Sequence, residues 1–216
     1  TGETARTQFE QLAGMTTIVA DTGDVEKIKE FKPTDATTNP SLIFKAAGMP
    51  KYEELVKSAV KYGKENGGGN EEEAMALTID RLSVAFGVEI SKVIPGYIST
   101  EVDARLSFDT EGSVKRARRI IAMYEAEGVS RSRVLIKLAT TWEGIQAAKI
   151  LKNDNIQCNM TLLFCFAQAA ACASAGVRLI SPFVGRIRDY YVKAEGRSFD
   201  DAEEDPGVLS VRRIYA

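Results

Sequence analysis

Short apolar runs alternate with longer amphipathic stretches along most of this chain. The runs at Thr16–Ala20, Asp35–Asn39, Tyr97–Val102, Val134–Ala139, Ile156–Thr161 and Val177–Ser181 have strand length and composition. Between them the spacing predicts helices over Val25–Phe31, Leu42–Ala47, Tyr52–Glu65, Glu71–Ser91, Thr110–Glu127 and Leu163–Ala175, with a last one over Val208–Tyr215. A polar, helix-leaning lead, Thr4–Leu12, precedes the first strand. In Glu71–Ser91 the apolar stripe reads through Ala74, Leu77, Ala85 and Val88. Punctuation fits the scheme: Pro33 breaks a helix, Gly128 ends one, and Thr140-Thr141-Trp142-Glu143 reads as a capping box. Gly67–Asn70 follows a helix and lacks the lysine and serine of a phosphate-binding loop, so it reads as a flexible connection.

Strands alternating with helices imply parallel βαβ units. Six in one series, with no Gly-x-Gly-x-x-Gly after any of them, favour an α/β barrel over a dinucleotide-binding sheet. The fold expected is a TIM-type (β/α)8 barrel of which this chain supplies six strands. It forms one domain over residues 1–216, with residues 1–15 as an N-terminal extension.

Composition narrows the function. With 44% hydrophobic and 27% charged residues the chain suits a soluble globular protein. A formal charge of −2, without a basic stripe, points away from nucleic acid. No apolar run reaches the roughly 20 residues of a membrane span, and no signal peptide opens the chain, so the cytosol is the expected location. Cys158, Cys165 and Cys172 read as buried small apolar residues rather than disulfides or metal ligands. There is no histidine, which removes Ser-His-Asp and Cys-His mechanisms and most zinc sites.

Lys137 stands alone in the most apolar strand, Val134-Leu135-Ile136-Lys137-Leu138-Ala139. A buried ammonium is costly unless paired or deprotonated. A lysine with a depressed pKa can attack a carbonyl and form a Schiff base. The alternative is an edge-strand lysine reaching water along its own stem. Catalytic groups of such barrels lie at the C-terminal strand ends. Here those ends carry Asp21, Asn39, Glu101, Lys137, Asn159 with Thr161, and Ser181 with Arg186.

Six segments, in order and spacing, resemble the transaldolase family: Ala20–Asp24, Asp35–Ser41, Ser99–Ser107, Leu135–Ala139, Cys158–Phe164 and Ile180–Arg186. The resemblance covers nearly the whole chain beyond the first dozen residues. It implies transfer of a dihydroxyacetone unit from a ketose phosphate, sedoheptulose 7-phosphate or fructose 6-phosphate, to an aldose phosphate, glyceraldehyde 3-phosphate or erythrose 4-phosphate. This is a reaction of the pentose phosphate pathway that uses no metal or cofactor. Lys137 matches the Schiff-base lysine. Asp21 matches the acid–base at the C4 hydroxyl, although an aspartate before Thr-Gly-Asp also suits a helix cap. Glu101, with a water held by Thr161, matches the proton shuttle of imine formation. Asn39 and Asn159 match contacts to substrate hydroxyls and the enamine, and Ser181 and Arg186 match phosphate contacts. Thr37, Ser99 and Phe183 complete the substrate-binding set. Arg186 has a second reading, pairing with Asp189.

Two departures accompany the resemblance. The six strands fall short of eight, and a typical barrel needs about 250 residues. The seventh and eighth strands, and a further phosphate arginine, would lie past Ala216. A chain truly ending there would expose two strand edges, an aggregation hazard. Arg188-Asp189-Tyr190-Tyr191 also stands where relatives more often read Leu-Asp-Trp. A Schiff-base aldolase releasing dihydroxyacetone, and an inactive barrel fragment acting through protein contacts, are the competing functions. The partners expected are sugar phosphates, with no nucleic acid and no membrane. The oligomeric state is not fixed by the sequence, and a homodimer is compatible with it.

Overall fold

The computed structural model describes residues 6–216, so Thr4 and Ala5 of the helical lead lie outside it. Two compact units are formed. One runs to Thr100 and adds Met123–Arg133; the other takes Glu101–Ala122 and Val134–Ala216.

The first unit follows the path α1 (Gln8–Met15), β1 (Val19–Asp21), α2 (Val25–Phe31), β2 (Asp35–Thr37), α3 (Pro40–Ala47), α4 (Glu53–Asn66), α5 (Glu71–Ser91) and β3 (Ile98–Glu101). The strands are parallel neighbours in sequence order, and Asp21 pairs with Thr37, which pairs with Ser99. Helix starts are fixed by side chains that accept the otherwise orphaned first amides. Asn39 Oδ1 accepts Leu42 N–H with Pro40 at the first helical position, and Asn70 Oδ1 accepts Glu73 N–H. α4 and α5 cross closely because a Cβ at Gly63 would lie 2.0 Å from Thr78 Oγ1. Ile28, Phe86, Ile90, Ile98 and Tyr124 are fully buried.

The second unit contains α6 (Thr110–Ala126) up to Ala122, then β4 (Val134–Ala139), α7 (Trp142–Asn153), β5 (Gln157–Leu163), α8 (Phe166–Ala175), β6 (Leu179–Pro182), α9 (Val184–Glu195) and α10 (Pro206–Tyr215). β4, β5 and β6 are again parallel sequential neighbours. Leu135, Ile136, Leu138, Leu151, Met160 and Leu163 form the core, all at most 3% exposed. β4 is buried on both faces, as parallel strands between helices are, and the continuous Val-Leu-Ile run reflects this. Parallel strand, helix, strand repeated in this way is the α/β path of a TIM-type (β/α)8 barrel, of which the described residues supply six strands.

Several boundaries differ from the predicted ones for local reasons. β1 starts three residues late because Thr16 closes α1, donating its N–H to Leu12 O. The Thr140–Glu143 capping box does not form: Thr141 is the cap, its Oγ1 accepting Gly144 N–H, so Glu143 stands outside the reciprocal position. α8 begins at Phe166 because β5 runs on to Leu163 through a bulge. In α5 the buried face runs through Ala76, Leu77, Asp80, Ser83, Val84, Gly87 and Val88, while Ala74 and Ala85 are half-buried. Cys158 and Cys172 are buried as expected, but Cys165 is exposed. Among the described residues no helix is long and apolar enough to cross a membrane.

Candidate active site

The strand period places alternate residues of β4 and β5 on the same face. Lys137 pairs in register with Asn159, and Ala139 with Thr161. Lys137 is 6% exposed, and its Nζ lies 3.3 Å from Glu101 Oε2. The structure therefore answers the alternative raised by the sequence: this lysine does not reach water as an edge residue but is enclosed with a carboxylate. The Lys137 carbonyl also accepts Val102 N–H at 3.0 Å, which tethers the backbone beside Glu101 to the lysine itself.

Asn159 is 2% exposed, and its Oδ1 accepts the Ser181 hydroxyl at 2.7 Å. That bond orients the amide so that its NH₂ group is directed away from Ser181. The Thr161 hydroxyl is buried with no hydrogen-bond partner in the structure. Thr161 and Glu101 also both line a small cavity, with Leu106, Ser113, Leu138 and Gly144; Lys137 is not part of its lining. A buried polar atom without a partner is uncommon and is normally satisfied by water or ligand.

Phe183 follows β6 and packs edge-to-face on Phe164, ring centroids 5.6 Å apart. Arg186 lies one turn into α9, its side chain 75% exposed and 3.4 Å from Asp189 Oδ2. The structure thus brings Lys137 to Glu101 and Ser181 to Asn159, while Arg186 is paired on the surface with Asp189.

In the first unit Asp21, Thr37 and Ser99 occupy one rung of three parallel strands, Asp21 and Thr37 as the last residues of theirs and Ser99 as the second of β3. Ser99 is buried, and the Thr37 hydroxyl is buried without a partner. Asn39 spends its side-chain oxygen on the α3 cap and keeps its amide NH₂ for other partners. Asp21 is exposed and does not cap α2. That work falls to Asp24, whose Oδ1 accepts Glu26 N–H and sits 2.6 Å from Lys51 Nζ. The Lys51 ammonium, with the cap amide, holds the Asp24 carboxyl below its ordinary value.

The sequence profile of the Transaldolase/Fructose-6-phosphate aldolase family matches residues 18–216. The chain belongs to this family. A transaldolase of Alteromonas mediterranea is 56% identical over 208 residues, which is 96% of this chain and 65% of that protein. The transaldolases of Bos taurus and Rattus norvegicus are 59% and 60% identical over 208 residues, each time 96% of this chain and 61% of the relative. The chain therefore spans less than two thirds of the length of these curated relatives. All six segments that carried the transaldolase resemblance lie within the matched region.

Sequence reasoning missed Gln168 and Thr140. Gln168, on the first turn of α8, donates from Nε2 to Thr140 O at 2.8 Å and Leu162 O at 3.2 Å. Its Oε1 accepts Phe164 N–H at 2.8 Å and Cys165 N–H at 3.2 Å. Thr140 donates both its N–H and its hydroxyl to Thr161 O. The visible signal was a glutamine three residues after the residue preceding an Ala-rich helix, the spacing of a capping box.

Proposed function

We propose that the protein carrying this chain is a transaldolase working through an imine on Lys137. The observation that carries the reading is the enclosed lysine 3.3 Å from a carboxylate, at the C-terminal half of a barrel strand in a chain of this family. Breaking a carbon–carbon bond next to a carbonyl requires an electron sink, and a protonated lysine imine is one. Lys137 Nζ attacks the ketose carbonyl, and the carbinolamine loses water. Glu101 moves protons at that nitrogen and the Thr161 hydroxyl holds the water, roles supported by the 3.3 Å Lys137–Glu101 approach and by the unpartnered state of that hydroxyl. Asp21, which the Asp24 cap leaves uninvolved in α2, takes the C4 hydroxyl proton as the C3–C4 bond breaks. The first aldose leaves, the enamine carbon attacks the carbonyl of the aldose phosphate, and Asp21 returns its proton to the new hydroxyl. Water then hydrolyses the imine, which frees Lys137 and releases the new ketose phosphate. Asn159, Asn39, Ser181, Thr37, Ser99 and Phe183 bind the sugar chain, and Arg186 binds phosphate once it leaves Asp189. On this reading the protein serves the pentose phosphate pathway in the cytoplasm.

Borohydride added with fructose 6-phosphate should fix one three-carbon adduct on Lys137, located by peptide mass. Lys137→Arg should abolish it, because a guanidinium remains protonated. An adduct at Lys92 or Lys149 with Lys137 unmodified would refute the mechanism. The family name also covers fructose-6-phosphate aldolases. Turnover that requires an aldose phosphate acceptor supports transfer; release of free dihydroxyacetone at the same rate without acceptor would favour the aldolase.

A further inference from the structure

We propose that Gln168 is a positioning residue for the imine chemistry, clamping the ends of β4 and β5 so that Thr161 is held on the strand face it shares with Lys137 and Asn159. The inference rests on the transaldolase reading of Lys137. A primary amide offers two N–H donors and a carbonyl oxygen with two lone pairs. Gln168 uses all of them on backbone groups of two loops: the carbonyls of Thr140 and Leu162, and the amides of Phe164 and Cys165.

The segment it holds does not adopt this shape by its own preference. Leu162 has φ of 58°, a left-handed conformation that crowds the Cβ of a branched side chain. β5 bulges between Met160 and Leu163 at the same place. Backbone outliers of this kind persist when surrounding bonds over-determine them, and they gather at functional sites. Here the over-determination is visible. Gln168 captures the Leu162 carbonyl and the amides of Phe164 and Cys165, and Thr140, itself held by Gln168, donates twice to the Thr161 carbonyl at 2.8 and 2.6 Å. Thr161 is thereby fixed on both sides along the backbone while its own hydroxyl stays buried and unpartnered. A strained turn, a saturated glutamine and an orphan hydroxyl together make a support that leaves one polar atom available for a water.

Gln168→Met keeps the length of the side chain and removes all four bonds; Gln168→Glu keeps the acceptor oxygen and loses the donors. Gln168→Met should lose hydrogen-exchange protection at the Phe164 and Cys165 amides. It should also slow borohydride-trapped imine formation about 10- to 100-fold, less than the roughly 10²–10⁴-fold of a placed acid–base group because Thr161 is displaced rather than removed, with KM little changed. Gln168→Glu should fall between it and the unsubstituted protein. The double variant Gln168→Met, Thr161→Ala should form imine no more slowly than Thr161→Ala, because both changes remove the same function. Multiplied defects in the double variant, or normal trapping in a folded Gln168→Met that has lost exchange protection, would overturn the proposal. Were Gln168→Met unable to fold, Gln168→Glu trapping at the unsubstituted rate would overturn it equally. Absence of any adduct at Lys137 in the unsubstituted protein would instead sink the transaldolase reading. Unchanged exchange at Phe164 and Cys165 would sink the clamp alone.

Discussion

The Tyr124 ring and Gly87 make a contact whose energetics can be worked out atom by atom. Tyr124 is fully buried, and its hydroxyl is bonded to the equally buried Thr100 hydroxyl. Burial pushes the phenol upward in pKa, so it stays neutral. A Cβ at Gly87 would lie 1.6 Å from that oxygen, 2.6 Å from Cζ and 3.0 Å from Cε1. Gly87→Ala must displace a ring with no room to move, at about 1–3 kcal/mol for overpacking. The better helix propensity of alanine returns about 0.5–1 kcal/mol. Tyr124→Phe strands the Thr100 hydroxyl and should cost about 1–3 kcal/mol. It also removes the atom that makes the worst clash, so the double variant should cost less than the sum of the singles by about 1–2 kcal/mol. At about 2–4 °C per kcal/mol for a chain of this size, the coupling is readable as a Tm difference by circular dichroism. Urea midpoints provide a second measurement. Additivity within about 0.5 kcal/mol would show that Gly87 is not required by the tyrosine oxygen.

Other expectations concern the chemistry and the thiols. Glu101→Gln should slow imine formation, and Asp21→Ala should leave the imine while slowing carbon–carbon cleavage, each by about 10²–10⁴-fold; full turnover by Asp21→Ala in a steady-state assay would remove it from the mechanism. Arg186→Ala should raise KM for sugar phosphates and leave dihydroxyacetone nearly unaffected, whereas an equal effect on both would assign Arg186 to its surface pair with Asp189. A maleimide should label exposed Cys165 in the native protein and reach Cys158 and Cys172 only on unfolding. Burial pushes those two thiols up to about 12 and about 11 from an ordinary 9.0, so they remain protonated in the fold while the unfolded chain ionises near 9. Their contribution to stability is intact below that value and is lost as pH rises towards 11 and 12, which alkaline urea titrations of Cys158→Ala against the parent should show as a flatter decline.

The chain path was legible because parallel strands between helices are apolar throughout while the helices alternate, and the two patterns take turns. Lys137 was legible for the same reason, as the lone charge in a strand buried on both faces. The α5 face was misjudged because its buried stripe includes Asp80 and Ser83, which a search for apolar residues passes over. The cap reading offered for Asp21 belongs to Asp24, three residues on, and only the amide geometry showed it. Gln168 carried the spacing of a capping box, but its bond to the Thr140 carbonyl is made with a distant loop brought to it by folding and has no side-chain signature.

The pairing of β4 with β5 has a consequence for how activity is acquired. Lys137 stands beside Asn159, and Thr161 follows two positions on, so on the proposed mechanism odd-numbered residues of β5 form the working face. A slip of a single residue would present Cys158 and Met160 to that face and turn both polar groups into the helical layer. No intermediate alignment would leave half a site. Catalysis should therefore return during refolding only in molecules that have chosen the right alignment, and an added residue between Asn153 and Gln157 should abolish it while much of the helix content survives. Enzyme assay is, for this segment, a counter of correctly aligned chains.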